Sequence, residues 1–254
     1  MTSLTILGSA GGAPTRTNPA SGYLVRSGSS SYWLDAGTGT FMELARHVDP
    51  GLLTAVVLSH IHVDHSSDLY GLYGYLAFGA SGIVPVSVLV PTGAAAHLAS
   101  FARAGDEHVF HSVLDLAEVA PGSSVSIGDA TIRFGNAVHP VPAVVTRIDT
   151  PDGSIAYSGD TGPGSDLAQL AAEADLLLCE ATIPGVREGQ TYPYHLTAAE
   201  AGRIASEAGV SSLVITHLAY GADPDRAVSE AAAEFDGEIR LAAPGTTFTI
   251  GETT

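Results

Sequence analysis

The chain has 254 residues, 45% hydrophobic and 15% charged, enough to bury a sizeable core while containing no run long and apolar enough to cross a bilayer. Its 27 acids against ten arginines, with no lysine, leave a formal charge of −17, which repels long polyanions and argues against a large nucleic-acid partner. One cysteine, Cys179, excludes an internal disulfide framework, and "MTSLTILGSAGG" lacks the basic start of a signal peptide, so a cytoplasmic protein is expected.

In chain order, short apolar runs predict strands at 3–7, 21–25 and 31–35, a helix over 40–48, and a strand over 54–58. Leu69, Leu72, Tyr73 and Leu76 recur at helical spacing and predict a helix over 68–80, followed by a buried strand at 84–90 and a helix over 92–102. The second half repeats the rhythm with strands at 130–138, 143–148 and 154–160, "PDG" (151–153) turning the last pair. A helix near 164–172, a strand at 175–180, a helix over 198–208, a strand at 212–216, a helix over 224–234 and strands near 238–241 and 246–250 complete the pattern. Thr197 and Glu200 form a capping box with Gly209 as the stop, and Asp223-Pro224 supplies a cap with proline at the first helical position. Two strand-rich halves of similar rhythm predict a single α/β domain over residues 1–254. The architecture expected is a four-layer α/β/β/α sandwich, with two sheets face to face and helices outside.

The rarest ionisable residues fall at the strand ends. His60, His139, Asp160 and His217 each close a different predicted strand, and "HIHVDH" (60–65) adds His62, Asp64 and His65. Neutral imidazoles and carboxylates suit zinc, and so many donors exceed what one ion uses, so two zinc ions per chain are expected. The same donors accept Mn²⁺ or Fe²⁺. Such a centre stays locally positive and can receive a small anionic diester on an otherwise acidic protein.

His60-x-His62-x-Asp64-His65, the lone His139, the "SGDT" of Asp160 and the "THL" of His217 resemble the metallo-β-lactamase-fold hydrolases, in motif order, from about residue 3 to 250. The resemblance implies His60, His62 and His139 on one metal and Asp64, His65 and His217 on the other, with Asp160 bridging. It further implies that Asp64 orients or deprotonates the attacking water. "LGSAGGAPTRTNPASGYL" (7–24), "CEAT" (179–182) and "HLTAAEAG" (195–202) are similar to the ribonuclease Z-like branch, in which a glutamate supports a histidine serving the leaving group. By position these are Glu180 and His195, with Cys179 standing where that branch has histidine. Ribonuclease Z carries a basic arm between the third histidine motif and the bridging aspartate, but here His139 and Asp160 are only 21 positions apart, which leaves no room for it.

The nearer likeness is to armless cyclic-nucleotide phosphodiesterases. It implies a small phosphodiester substrate, with a 3′,5′-cyclic nucleotide favoured, cleaved by a hydroxide shared between the metals, and a homodimer. Ser9 in the opening loop, Tyr194 and His195 are the candidate substrate contacts. Three alternatives stay open: tRNA 3′ processing, hydrolysis of a lactone or thioester on the same centre, and a non-catalytic binding protein. His47, His97, His108 and His111 lack motif context, and Tyr70, Tyr73, Tyr75 and Phe78 read as helix packing or a dimer face.

Overall fold

The computed structural model describes residues 1–79, 84–101, 107–185, 187 and 192–251. The elements run β1 (Thr2–Gly8), β2 (Gly22–Ser27), β3 (Ser30–Leu34), α1 (Thr40–His47), β4 (Ala55–Val57), α2 (Val63–Ser66), α3 (Leu69–Gly74), β5 (Val86–Pro91), α4 (Ala95–Phe101), α5 (Glu107–Val113) and β6 (Leu114–Val119). They continue through β7 (Ser124–Ile127), β8 (Ala130–Asn136), β9 (Val144–Thr150), β10 (Gly153–Tyr157), α6 (Leu167–Leu170), β11 (Leu176–Glu180), α7 (Ala198–Ala208), β12 (Ser212–Thr216), α8 (Pro224–Ala232), β13 (Glu238–Leu241) and β14 (Thr247–Ile250). Among the described residues no helix is long and apolar enough to cross a membrane.

The strands form two seven-stranded mixed sheets, ordered β14-β1-β2-β3-β4-β5-β6 and β13-β12-β11-β10-β9-β8-β7. Side-chain alternation explains their stacking. In β3, Tyr32 and Leu34 enter the core between the sheets while Trp33 faces the helices α1, α3, α4 and α5. In β11, Leu176 and Leu178 enter the same central core while Leu177 and Cys179 pack under α6, α7 and α8. Central strands are thus buried on both faces, which is why they read as continuous apolar runs. Each large aliphatic side chain so buried stabilises the fold by roughly 1.5–3 kcal/mol. The expected four-layer α/β/β/α sandwich is the observed architecture.

Differences from the sequence reading are local. Nothing is anticipated over 103–129, where α5, β6 and β7 occur; β6 and β7 carry polar residues on partly exposed positions, so no apolar run marks them. The helix expected over 68–80 is α3 followed by a π-helical turn, Tyr75–Gly79, and that near 164–172 shrinks to α6. The outermost positions expected for two helices, Ala80 and Ala102, lie outside the described residues. Thr197 and Glu200 make the capping box of α7, with Gly209 closing it in the left-handed conformation, and Asp223 caps α8.

What matters for the site is the direction of the strands. β3, β4 and β5 run parallel in one sheet, and β10, β11 and β12 run parallel in the other. Their carboxyl ends open at one edge of the sandwich, where the candidate residues gather.

Candidate metal centre

All seven predicted ligands converge. His60, His62, His139 and Asp160 present donor atoms within 4.8 Å of one another, and Asp64, His65, Asp160 and His217 do the same, so Asp160 belongs to both groups. In the first group His62 Nδ1 lies 3.0 Å from His60 Nε2 and 3.1 Å from His139 Nε2. In the second, His217 Nε2 lies 3.2 Å from both His65 Nε2 and Asp64 Oδ2. Asp160 spans them, its Oδ1 3.2 Å from His65 Nε2 and its Oδ2 3.8 Å from His60 Nε2.

The outer hydrogen bonds decide which ring nitrogens face inward. Ser59 donates its hydroxyl to Asp35 Oδ2 at 2.7 Å, so at His60 Nδ1, 3.0 Å away, the hydroxyl oxygen accepts. His65 Nδ1 donates to Asp35 Oδ2 at 2.7 Å, and His139 Nδ1 to the Tyr194 carbonyl at 3.3 Å. Thr182 donates its hydroxyl to the His217 carbonyl at 2.9 Å, so the same oxygen accepts from His217 Nδ1 at 2.7 Å. Each of these rings carries its proton on the outer nitrogen and turns the Nε2 lone pair inward, the arrangement a divalent cation requires. Asp160 Oδ1 is buried without a hydrogen-bond partner, an expensive state for a carboxylate oxygen that a cation would relieve. The donor set therefore fits metal binding.

Electrostatics agree. Burial, then the facing His65, holds His60 well below the ordinary histidine range, and burial lowers His139 to about 4, so both are neutral ligands at physiological pH. Burial also opposes charge on His65, but Asp160 and Asp35 outweigh it and raise this histidine well above its usual value. Carboxylates that favour a proton there also favour a metal cation. Burial would raise Asp64, but His217 and His65 outweigh it and bring the carboxyl down to about 2.

Beside the cluster, Glu180 accepts from His195 Nδ1 at 3.0 Å and from the backbone N–H groups of Thr161, Thr182 and Leu196. The His195 ring centroid stands 5.6 Å from that of His139 and 5.8 Å from that of His217, overlooking both ligand groups. Cys179, in place of the branch's histidine, leaves this pair intact because its side chain points into the core under α7 while Glu180 ends the strand at the site. Burial opposes protonation of His195, but Glu180 outweighs it and raises the histidine above its ordinary value.

Two expected substrate contacts have other partners. The Ser9 hydroxyl donates to the Ala242 carbonyl and meets Asn18, and the Ser9 carbonyl accepts from the His217 backbone. Ser9 thus braces His217 from behind, and it lines a groove of about 570 Å³ together with Gly11, Thr216 and Leu218. Tyr194 acts on His139 through its carbonyl, with its ring edge-on to the imidazole at 6.3 Å.

Asp35, Ser59, Tyr157, Thr182 and Arg187 support the site without any ligand motif in the sequence marking them. Asp35 is fully buried and accepts from the Ser59 backbone and hydroxyl, His65 and the Tyr157 hydroxyl. Its signal is present in "YWLDAG", an acid closing an apolar strand beside the one that leads to His60. Asp35 and His217 both sit in the left-handed backbone region, rare outside glycine and common at functional sites.

The profile of the beta-lactamase superfamily domain matches residues 14–218, a span that contains every ligand. The chain belongs to that superfamily. Relatives within the superfamily include an uncharacterised protein of Mycobacterium leprae, 35% identical over 97% of this chain and 88% of that one. A probable metallo-hydrolase, YhfI, of Bacillus subtilis is 31% identical over 95% of this chain and 97% of its own length. A ribonuclease Z of Mycobacterium bovis is 29% identical over 95% of each. The crystal structure of YhfI, a metallo-beta-lactamase fold protein, superposes with a TM-score of 0.88 at 28% identity, covering 98% of this chain and 100% of that one. This superfamily member is accordingly a metallo-β-lactamase-fold hydrolase with ribonuclease Z-like relatives.

Proposed function

We propose that the protein is a cytoplasmic dinuclear zinc phosphodiesterase acting on a small phosphodiester, with a 3′,5′-cyclic nucleotide as the favoured substrate. The observation that carries this reading is the Glu180–His195 pair beside both ligand groups. His60, His62 and His139 would hold one ion, Asp64, His65 and His217 the other, and Asp160 both. When bound, such ions supply Lewis acidity and a nucleophilic water at neutral pH.

The chain's own residues do the rest. Displacement at phosphorus places the leaving oxygen opposite the attacking one, so its proton must come from the edge of the cluster. His195 stands there, its Nδ1 held by Glu180, a carboxylate that favours the protonated form of the ring. Asp64 accepts from the Gly12 backbone at 2.9 Å, which fixes its carboxylate while leaving acceptor capacity to orient water. The −17 charge and the short connection over residues 137–143, between β8 and β9, favour a small anion over a long one.

A second reading, tRNA 3′ processing, draws on the likeness to ribonuclease Z, and the centre also suits a lactone or thioester. A substrate panel decides. Cyclic AMP and a linear aryl diester should turn over, with pre-tRNA left uncut and a lactone poorly hydrolysed. Turnover of the lactone alone would refute the phosphodiesterase reading, and pre-tRNA cleavage with a steep salt dependence would establish the second one.

A further inference from the structure

Resting on the dinuclear reading, we propose that the two metal positions are unequal. Asp64, His65 and His217 form a tight, resident position. His60, His62 and His139 form a weaker, exchangeable one whose affinity is set by the loop that carries His195.

The outer partners differ in charge and rigidity. Behind His65 stands Asp35, an anionic carboxylate with no solvent exposure, itself fixed by Ser59 and by Tyr157 from the opposite sheet at 2.6 Å. His217 is anchored three times: by Thr182 at its ring and at its carbonyl, and by the Ser9 carbonyl at its backbone N–H. Asp64 adds a negative donor that the three-histidine group lacks, and Asp160 leans the same way, with Oδ1 3.2 Å and 3.4 Å from His65 and His217 against 3.8 Å from Oδ2 to His60. More negative charge at shorter range means a deeper well for a cation.

The three-histidine group has neutral and looser support. The partner of His60 is the Ser59 hydroxyl, whose proton is already committed to Asp35. Among the described residues, no hydrogen bond backs His62 Nε2. His139 depends on the Tyr194 carbonyl at 3.3 Å, in the segment that also carries Tyr192 and His195. Arg187 secures that segment by donating to the carbonyls of Tyr192 and His195 while pairing with Glu200 in the first turn of α7. Arg187 is thus a positioning residue for the weaker ion, acting through Tyr194 and His139. Outer partners of metal-bound histidines typically alter affinity by about 10–100-fold, enough to separate the two positions.

The test is dialysis of the purified protein against zinc buffered at graded free concentrations, counting zinc per chain. Wild type should release its ions in two steps at least about tenfold apart. Arg187→Ala should shift the weaker step alone, and Thr182→Val the tighter step alone, with Tyr157→Phe, which should shift the tighter step more than the weaker one, as the alternative should Thr182→Val fail to fold. His62→Ala should retain one ion at the tight midpoint, and His217→Ala should lose that step. Release of both ions at one midpoint, or loss of the tight ion in His62→Ala, would overturn the inference while leaving a dinuclear centre standing. A folded wild type that takes up no zinc would remove the dinuclear reading and this inference together.

Discussion

The first sheet delivers four ligands within six residues, His60 to His65, because the chain passes from β4 through a short turn into the single helical turn α2. The second delivers His139, Asp160 and His217 one at a time, from strand ends separated by turns, strands and whole helices. In the first case local backbone geometry spaces the donors. In the second, spacing comes from the parallel register of β10, β11 and β12, which sets Tyr157 beside Leu178 and Glu180 beside Thr216. A local cluster survives changes elsewhere in the fold, whereas an assembled one depends on the packing beneath it.

Asp160→Ala tests this contrast most severely, since the residue comes from the assembled side yet touches both groups. It should lose metal and lower kcat/KM by on the order of 10³-fold, read by zinc per chain and initial rates. Full zinc content in that variant would show that the centre forms without the carboxylate common to both groups. Next in size, His195→Ala and Glu180→Gln should each lower kcat on an alkyl leaving group by about 10²–10³-fold at unchanged zinc content. The loss should be much smaller on an aryl diester, whose leaving group needs no proton; equal losses on both would remove the acid role.

Leu178→Ala empties a fully buried position of β11, the strand that ends at Glu180. It should cost about 2–5 kcal/mol in denaturant unfolding and weaken zinc binding as well, because the strand ends it spaces carry ligands. A stability loss with no change in zinc affinity would count against the dependence of the assembled side on its core. The smallest effect concerns the anchoring of α7. Burial would raise the Glu200 carboxyl, but Arg187 and the Thr197 cap outweigh it and hold it below the ordinary glutamate value. A depressed carboxyl stabilises the fold above its unfolded value and loses that contribution as pH falls through the folded one. Glu200→Gln should therefore be less stable than wild type near neutrality, and the two melting curves should approach each other at acid pH.

Much of this was legible beforehand because it is written in local pattern. Alternating and continuous apolar runs marked the central strands, and Thr197, Glu200 and Gly209 announced α7 with both its caps. Crowding at His60–His65 and the lone residues at strand ends named the seven donors of the two groups that share Asp160. β6 and β7 escaped because partly exposed strands with polar residues on one face resemble loops. Asp35 escaped for a different reason: its meaning lies in His65 and Tyr157, the latter 122 positions away, and no spacing rule connects them. The part played by Ser9 was not legible, because a glycine-rich opening loop looks the same whether it holds a ligand or braces the histidine behind it.

The sequence by itself determined which donors are available, their number, and the strands and turns on which they ride, since residue type and apolar period are local properties of the chain. Only the tertiary structure decided which nitrogen of each imidazole faces inward, that one carboxylate belongs to both groups, and that His65 rests on a buried aspartate while His139 rests on a loop carbonyl. Those properties belong to hydrogen bonds between segments far apart in the chain, and they exist only once the two sheets have packed.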